Sequence, residues 1–341
     1  MKLYGAIDLH STNSVLVLID EEDKIVYEKR LPNDLALILK ELSIYQSRLE
    51  GIVVESTYNN WYWLVDGLME QGYKVHLANT AAIQQYEGLK YTDDHSDARW
   101  LAHLLRLGVL PEGHIYPRAE RPVRDLLRKR SQLVRQRTTN VLSIQNLLTR
   151  NTGSSMKANQ IKGLDVQQID ELLPNGDLAL AVKANLAVMS SADEQTKLLE
   201  QRVAELVKLR PQFKFLKTVP GIGEILALTI MLETGDIGRF ASVGNYASYC
   251  RCVGSQKISN GKKKGKGNTK NGNKYLAWAF VEAAHFAMQF NSRIKSFYQR
   301  KTAKSKNVVA IKAVAHKLCR ACYYIMRNRV AFDVNKAFGQ K

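Results

Sequence analysis

An α/β unit, a basic helical arm and an all-helical unit, in that order, are what this 341-residue sequence predicts. Three observations carry the prediction. The chain opens with three apolar segments separated by polar turns; strands then alternate with helices as far as Pro117; beyond it the apolar residues fall at helical spacings. The length also exceeds what one hydrophobic core usually organises, so two domains and a connecting element are expected.

From Lys2 to about Pro32, "LYGAIDLH", "SVLVLIDE" and "KIVYEKRL" read as successive strands. A helix follows from about Leu35 to Leu49. Next come "GIVVEST" as a strand, "NWYWLVDGLMEQG" as a helix ending at Gly72, "KVHLAN" as a strand, and helical patterns from Thr80 onward. This succession describes a mixed sheet with helices on its faces. It is the strand order of a ribonuclease-H-like fold, placed at residues 1–117.

Residues 118–210 form the arm. Leu127, Val134, Val141 and Leu148 recur every seventh position, flanked by Leu126, Leu133 and Leu147, the pattern of a coiled-coil seam. Between Arg118 and Arg150 lie eight arginines and one lysine against two acids. Arg124, Arg128, Arg130, Arg135 and Arg137 are therefore candidates to face nucleic acid, an ordinary solvated face being the plainer alternative. A turn at Asn151–Asp165 leads toward a second helix from about Glu194 to Leu209.

Residues 211–341 are expected to be all-helical. In "TVPGIGE", Pro220, Gly221 and Gly223 read as a helix-hairpin-helix turn whose glycines let backbone amides approach a phosphate. A plain turn between packed helices is the alternative. Seven lysines and no acid follow between Ser255 and Tyr275 (Lys257, Lys262, Lys263, Lys264, Lys266, Lys270 and Lys274), which predicts a mobile basic loop. Two long helices broken near "TAKSKN" complete the unit. Cys250, Cys252, Cys319 and Cys322 have spacings a four-thiolate zinc site could use, but reduced, buried thiols are the expected state.

Fifty basic residues against 32 acidic ones leave a formal charge of +18, which has to face solvent or a polyanion. Nucleic acid is the expected partner. No membrane association is expected: no apolar run of about 18 residues is present, and no amphipathic anchor is evident. The opening residues lack the form of a secretory signal, so a cytoplasmic, nucleoid-associated protein is expected.

Four acids carry the chemistry. Asp8 ends the first strand and Glu55 ends "GIVVE", a strand expected beside the first, so both emerge at one sheet edge. Asp94 and Asp97 lie three apart at a helix start, on one face. Asp93 is an alternative to Asp94, and His95 is read as a neighbour rather than a ligand. Each acid taken singly could be a turn or cap residue. Together they would repel unless cations neutralise them. Oxygen ligands suit Mg2+, and two such ions about 4 Å apart can support phosphoryl transfer; Mn2+ is expected to substitute.

"GAIDLH", "VVES", "TDDHSDARWLA", "TVPGIGE" and "SNGKKKGKGNTKNGNKYL" together resemble the bridge-RNA-guided insertion-sequence transposases of the IS-one-ten type, and the related pilin-gene-inverting recombinases, over nearly the full length. The resemblance implies a RuvC-like DEDD domain, a coiled-coil insertion and a small helical transposase domain. It implies a serine nucleophile, falling at Ser259 by position, that forms a phosphoserine link to DNA. Here Asn260 precedes Gly261 where the family usually has glycine directly after the serine, and Ser255 is the alternative. The resemblance further implies donor and target DNA as substrates, a structured non-coding guide RNA, and a homo-oligomer, dimer or tetramer. Two other readings compete: a RuvC-like nuclease or junction resolvase in which water attacks, and a non-catalytic nucleic-acid-binding module.

Overall fold

The computed structural model describes residues 1–56, 60–83, 93–207, 211–265 and 271–339. Contacts divide the chain into two units: Met1–Arg118 with Ser255–Asn271, and Ala119–Gly254 with Gly272–Lys341.

The first unit is built on β1 (Leu3–Leu9), β2 (Asn13–Ile19), β3 (Ile25–Pro32), α1 (Leu35–Ser43), β4 (Leu49–Ser56), α2 (Tyr62–Glu70), β5 (Val75–Leu77) and α3 (Asp94–Arg106). The five strands form one sheet in the order β3-β2-β1-β4-β5. β1 runs antiparallel to β2 and parallel to β4, as the sequence predicts for a ribonuclease-H-like sheet. Central strands covered on both faces need apolar residues at nearly every position, and β1 and β2 are buried almost throughout. β3, at the edge, exposes Lys29 and Arg30, which blunt it against further pairing.

Side-chain parity sorts the strands between two layers. Ile7, Leu9, Leu16, Leu18, Ile52 and Val54 pack with Ile38 and Leu42 of α1 and Leu64 and Leu68 of α2. The opposite parity, Ala6, Val15, Val17 and Val53, packs against Ala98, Leu101 and Ala102 of α3. Asp8 shares the parity of Ala6, and Glu55 that of Val53. Both acids therefore belong to the α3 face of the sheet.

α3 starts where it does because Asp93 caps it, accepting from the Ser96 amide at 2.8 Å while the Asp93 amide donates to Ser96 Oγ. It is clamped onto β3 by Arg99, whose Nε and Nη2 reach Glu28 at 3.0 and 2.5 Å. The Arg99 guanidinium holds the Glu28 carboxyl below its usual range. Stability from this pair is complete above the unfolded carboxylate value near about 4 and is lost as pH falls through the lower folded value. Melting followed from pH 7 to pH 3 should show that loss, and Glu28→Gln should remove its share of the slope.

The second unit contains α4 (Arg121–Thr152), α5 (Ala158–Ile161), α6 (Val166–Leu172), α7 (Gly176–Val207), α8 (Pro211–Leu216), α9 (Glu224–Thr234) and α10 (Val243–Tyr249). The 255–271 segment of the first unit then supplies β6 (Lys257–Ser259) and β7 (Lys262–Gly265). The helical unit resumes with α11 (Lys274–Phe290), α12 (Ser292–Thr302), α13 (Asn307–Asn328) and α14 (Val334–Phe338). α4 and α7 pack side by side, and the pairs Arg130–Glu200 and Arg137–Asp193 show them to be antiparallel. Leu127, Val141 and Leu148 of the predicted seam are buried, joined by Ile144, while Val134 is only half-buried. The domain core gathers around Tyr246 and Phe280, with Leu228 and Ile230 of α9 and Val314 and Leu318 of α13.

Several sequence-based boundaries differ from the structure. α7 begins at Gly176, well before Glu194, because the alanine-rich run 179–192 favours helix without a clear apolar stripe. The stretch read as two long helices holds three, α11, α12 and α13, and the short α14 follows them. The chain breaks at Asn291, whose side chain accepts from the Arg293 and Ile294 amides and caps α12. The predicted mobile loop is, over 257–265, a β-hairpin; Asn260 and Gly261 take φ of 50° and 68°, the two left-handed positions of a type I′ turn. Its segment groups with the first unit instead of residues 211–341, and Asn79 donates to Asn271 at 3.2 Å. Among the described residues, no helix is long and apolar enough to cross a membrane.

Candidate functional site

The C-terminal ends of β1 and β4 meet beneath the first turn of α3. Asp8 pairs directly with Glu55 in the parallel register. On α3, positions 94, 97, 98, 101 and 102 form one stripe; Ala98, Leu101 and Ala102 are buried on the sheet. The same stripe thus carries Asp94 and Asp97 over the strand ends. The four predicted acids converge by two independent periodicities, one of the sheet and one of the helix.

His10, one residue past β1, completes the centre. Its Nε2 lies 3.2 Å from Asp8 Oδ2 and 3.3 Å from Asp94 Oδ1. That buried nitrogen makes no aligned hydrogen bond to either carboxylate. One ligand atom from each of Asp8, His10 and Asp94 falls within a mutual 4.8 Å, a grouping that could hold a metal ion. Glu55 and Asp97 act on this trio through charge. Burial pushes the Asp8 carboxyl above its ordinary range, Asp94 and Asp97 add to that, and His10 opposes it. Burial, then the charges of Asp8 and Asp97, pushes Glu55 up to about 7. Asp94, at the rim, goes the other way: Arg30 Nη2 bonds its Oδ2 at 2.7 Å and lowers it.

Two carboxylates whose charge is disfavoured by burial and a buried imidazole nitrogen without a hydrogen-bond partner fit a divalent cation. The carboxylates suit Mg2+ or Mn2+, and the imidazole favours the transition ion. Asp93 is engaged in its helix cap and lies outside the trio, which includes Asp94. His95 faces Glu28, its Nδ1 lying 2.9 Å from Oε1. His10 was missed because it lies in the turn after β1, where neither strand nor helix periodicity applies; the "DLH" triplet was its only signal.

The arm's arginines are largely committed internally. Arg124 is 3% exposed. Arg128 grips Glu233 at 2.6 and 2.8 Å, Arg130 reaches Glu200 at 2.7 Å, and Arg137 pairs with Asp193. Of the five arginines expected to face nucleic acid, Arg135 is the one that is exposed. Their charge instead ties α4 to α7 and α9. Gly221 is likewise explained by packing: φ is +83°, and a Cβ there would meet the Ala287 nitrogen of α11 at 2.4 Å. Gly223 opens α9 and has free space around it.

Ser259 is exposed at the end of β6 and pairs with Lys262 across the turn; Ser255 is half-buried. Lys262, Lys264 and Lys274 are exposed. Lys257 and Lys263 lie on the hairpin strands, and Lys266 and Lys270 fall outside the described residues. Cys250, Cys319 and Cys322 are buried free thiols, with Cys252 partly buried. Burial pushes the Cys319 and Cys322 thiols up, the state of inert core cysteines.

Residues 6–151 match a family of DEDD-type transposases of the IS110 group, and residues 214–299 match the family described as "Transposase IS116/IS110/IS902 family". The chain is similar to an uncharacterized 43.6 kDa protein of insertion element IS110 from Streptomyces coelicolor, 23% identical over 159 residues. That match covers 46% of this chain and 39% of the relative, so it spans well under two thirds of the relative's length. A second relative, the transposase for insertion sequence element IS1111A from Coxiella burnetii, is 22% identical over 292 residues, 83% of this chain and 77% of its own. The acidic centre lies inside the first matched segment and Ser259 inside the second.

Proposed function

The chain belongs to the IS110-type family of insertion-sequence transposases, and on that premise we propose that it is a DNA transposase that cuts and rejoins donor and target DNA. It would use a divalent cation, Mg2+ in the cell, held by Asp8 and Asp94 with His10 beside them. The observation that carries this reading is the meeting of Asp8, His10 and Asp94 beneath the start of α3, with Glu55 alongside. A cation held by these residues would supply positive charge for the scissile phosphate and the leaving oxygen.

The protein's own groups do the remainder. Arg30 keeps Asp94 ionised and fixed at the rim. Glu55 and Asp97 raise the local negative potential that draws the cation in. Ser259 is the nucleophile: its oxygen bonds to phosphorus as the bond to the leaving strand breaks, and the leaving oxygen takes up a proton as the serine gives one up. Attack by a second strand's hydroxyl reverses these steps and frees the serine. The Asn260–Gly261 turn supports this assignment, because a type I′ hairpin needs two left-handed residues and presents the serine just before them. Exposed Lys262, Lys264 and Lys274 suit contact with flanking phosphates. A structured guide RNA, an oligomer of two or four chains and a coiled-coil arm complete the reading; the chain's excess positive charge supports the first.

Ser259→Ala is expected to abolish a covalent protein–DNA adduct on denaturing gels, while Ser255→Ala keeps it. An adduct that survives Ser259→Ala would move the nucleophile elsewhere. Cleavage with no adduct from the parental protein would favour attack by water, as in a junction resolvase.

A further inference from the structure

We propose that the solvent face of α13, with the α12–α13 turn beside it, is the surface by which the helical unit holds the backbone of duplex DNA. The inference rests on the reading of the chain as a DNA transposase and adds where that unit takes its substrate. Between Ala283 and Phe332 there are eleven lysines and arginines and no aspartate or glutamate. That segment alone holds much of the chain's +18. Among the described residues, none of these cations forms an ion pair with an acid, unlike the arginines of α4.

Helical geometry lines the charge up. Ala310, Val314, Leu318, Cys322 and Ile325 face the core. Lys312, His316, Arg320, Tyr324 and Arg327, at spacings of four, four, four and three, run along the opposite side. At about 1.5 Å per residue that stripe is roughly 22 Å long, enough to cross a DNA major groove of about 12 Å from phosphate to phosphate. Lys301, exposed at the end of α12, and the half-buried Lys317 flank it. Burial first, then the charges of Arg320 and Lys301, pushes the Lys317 ammonium below its usual range; burial, Arg320 and Lys317 do the same to His316. The nearest acids in sequence do not relieve this crowding. Asp333 accepts from the Asn335 and Lys336 amides at the start of α14, and Glu282 lies on α11, half-buried. Like charges held together on an exposed helix, with no acids interleaved, are poorly placed for folding and well placed for a polyanion.

The test measures binding of full-length protein to a duplex of about 40 base pairs across 50 to 250 mM KCl, in an Asp8→Ala background so that turnover does not intrude. Lys312→Ala with Arg320→Ala should flatten the plot of log affinity against log salt by about 1.8, two phosphate contacts at about 0.9 each. Lys312→Arg with Arg320→Lys should keep the parental slope, which separates lost charge from lost folding, and melting curves of both pairs should overlay the parent. A structured RNA hairpin assayed in parallel should keep its slope in the alanine pair. An unchanged slope with duplex DNA, or a change confined to RNA, would overturn the proposal. The metal reading stands or falls separately: cleavage retained by Asp8→Ala alone would sink that reading and leave the slopes interpretable.

Discussion

Asp8→Ala is expected to lower DNA strand cleavage by about a thousand-fold or more, equivalent to roughly 4 kcal/mol of transition-state stabilisation. Asp8 is the one carboxylate that is both buried and central: it neighbours Glu55 in the sheet and lies 3.2 Å from His10, which in turn reaches Asp94. Removing it would leave only Asp94 and His10 of the three proposed cation ligands. The fold should not suffer, because Asp8 is disfavoured as an ion where it sits. Asp8→Asn is therefore expected to melt no lower than the parent in EDTA, a trade of function against stability common at active sites. A variant with normal melting and parental cleavage rates would remove Asp8 from the mechanism.

Glu233→Ala carries the largest expected cost in stability, about 3–5 kcal/mol, because it strands a charge. Glu233 is 1% exposed, and its oxygens take two bonds from Arg128 and one from Asn273, the residue that caps α11. Its loss would leave the Arg128 guanidinium, stacked over Tyr275, unpaired among α4, α9 and α11. For a unit of this size that corresponds to a fall in melting temperature of roughly 10 °C. Replacing both partners, Glu233→Met with Arg128→Met, should recover much of the loss, since no charge then remains to be buried. A Glu233→Ala protein that melts like the parent would show the cluster to be idle.

The acidic centre was legible in the sequence because strand and helix periodicities are local. Asp8 and Glu55 end apolar runs, and Asp94 and Asp97 open a helix, so each side chain's face follows from its neighbours. What periodicity cannot reach is the loop residue and the distant partner. His10 sits in a turn and joins the site only once Asp94, 84 positions onward, folds over it. The arm's arginines read as an outward face because Glu233, Glu200 and Asp193 lie 105, 70 and 56 positions from Arg128, Arg130 and Arg137. The register of the doubled acid was open in the sequence; the capping box, which engages Asp93, leaves Asp94 at the centre. The Ser259 hairpin was read as a loop because its run of lysines hides two short strands, although Asn260–Gly261 is a strong hairpin signal in itself.

A cation at Asp8, His10 and Asp94 is expected to be required for DNA cleavage. The most direct measurement is cleavage of a donor duplex by the full-length protein, with its co-purifying nucleic acid, first in EDTA and then after Mg2+ or Mn2+ is restored. No cleavage is expected in EDTA, with recovery on adding either ion and no recovery in Asp8→Ala. Cleavage undiminished in EDTA would contradict that requirement.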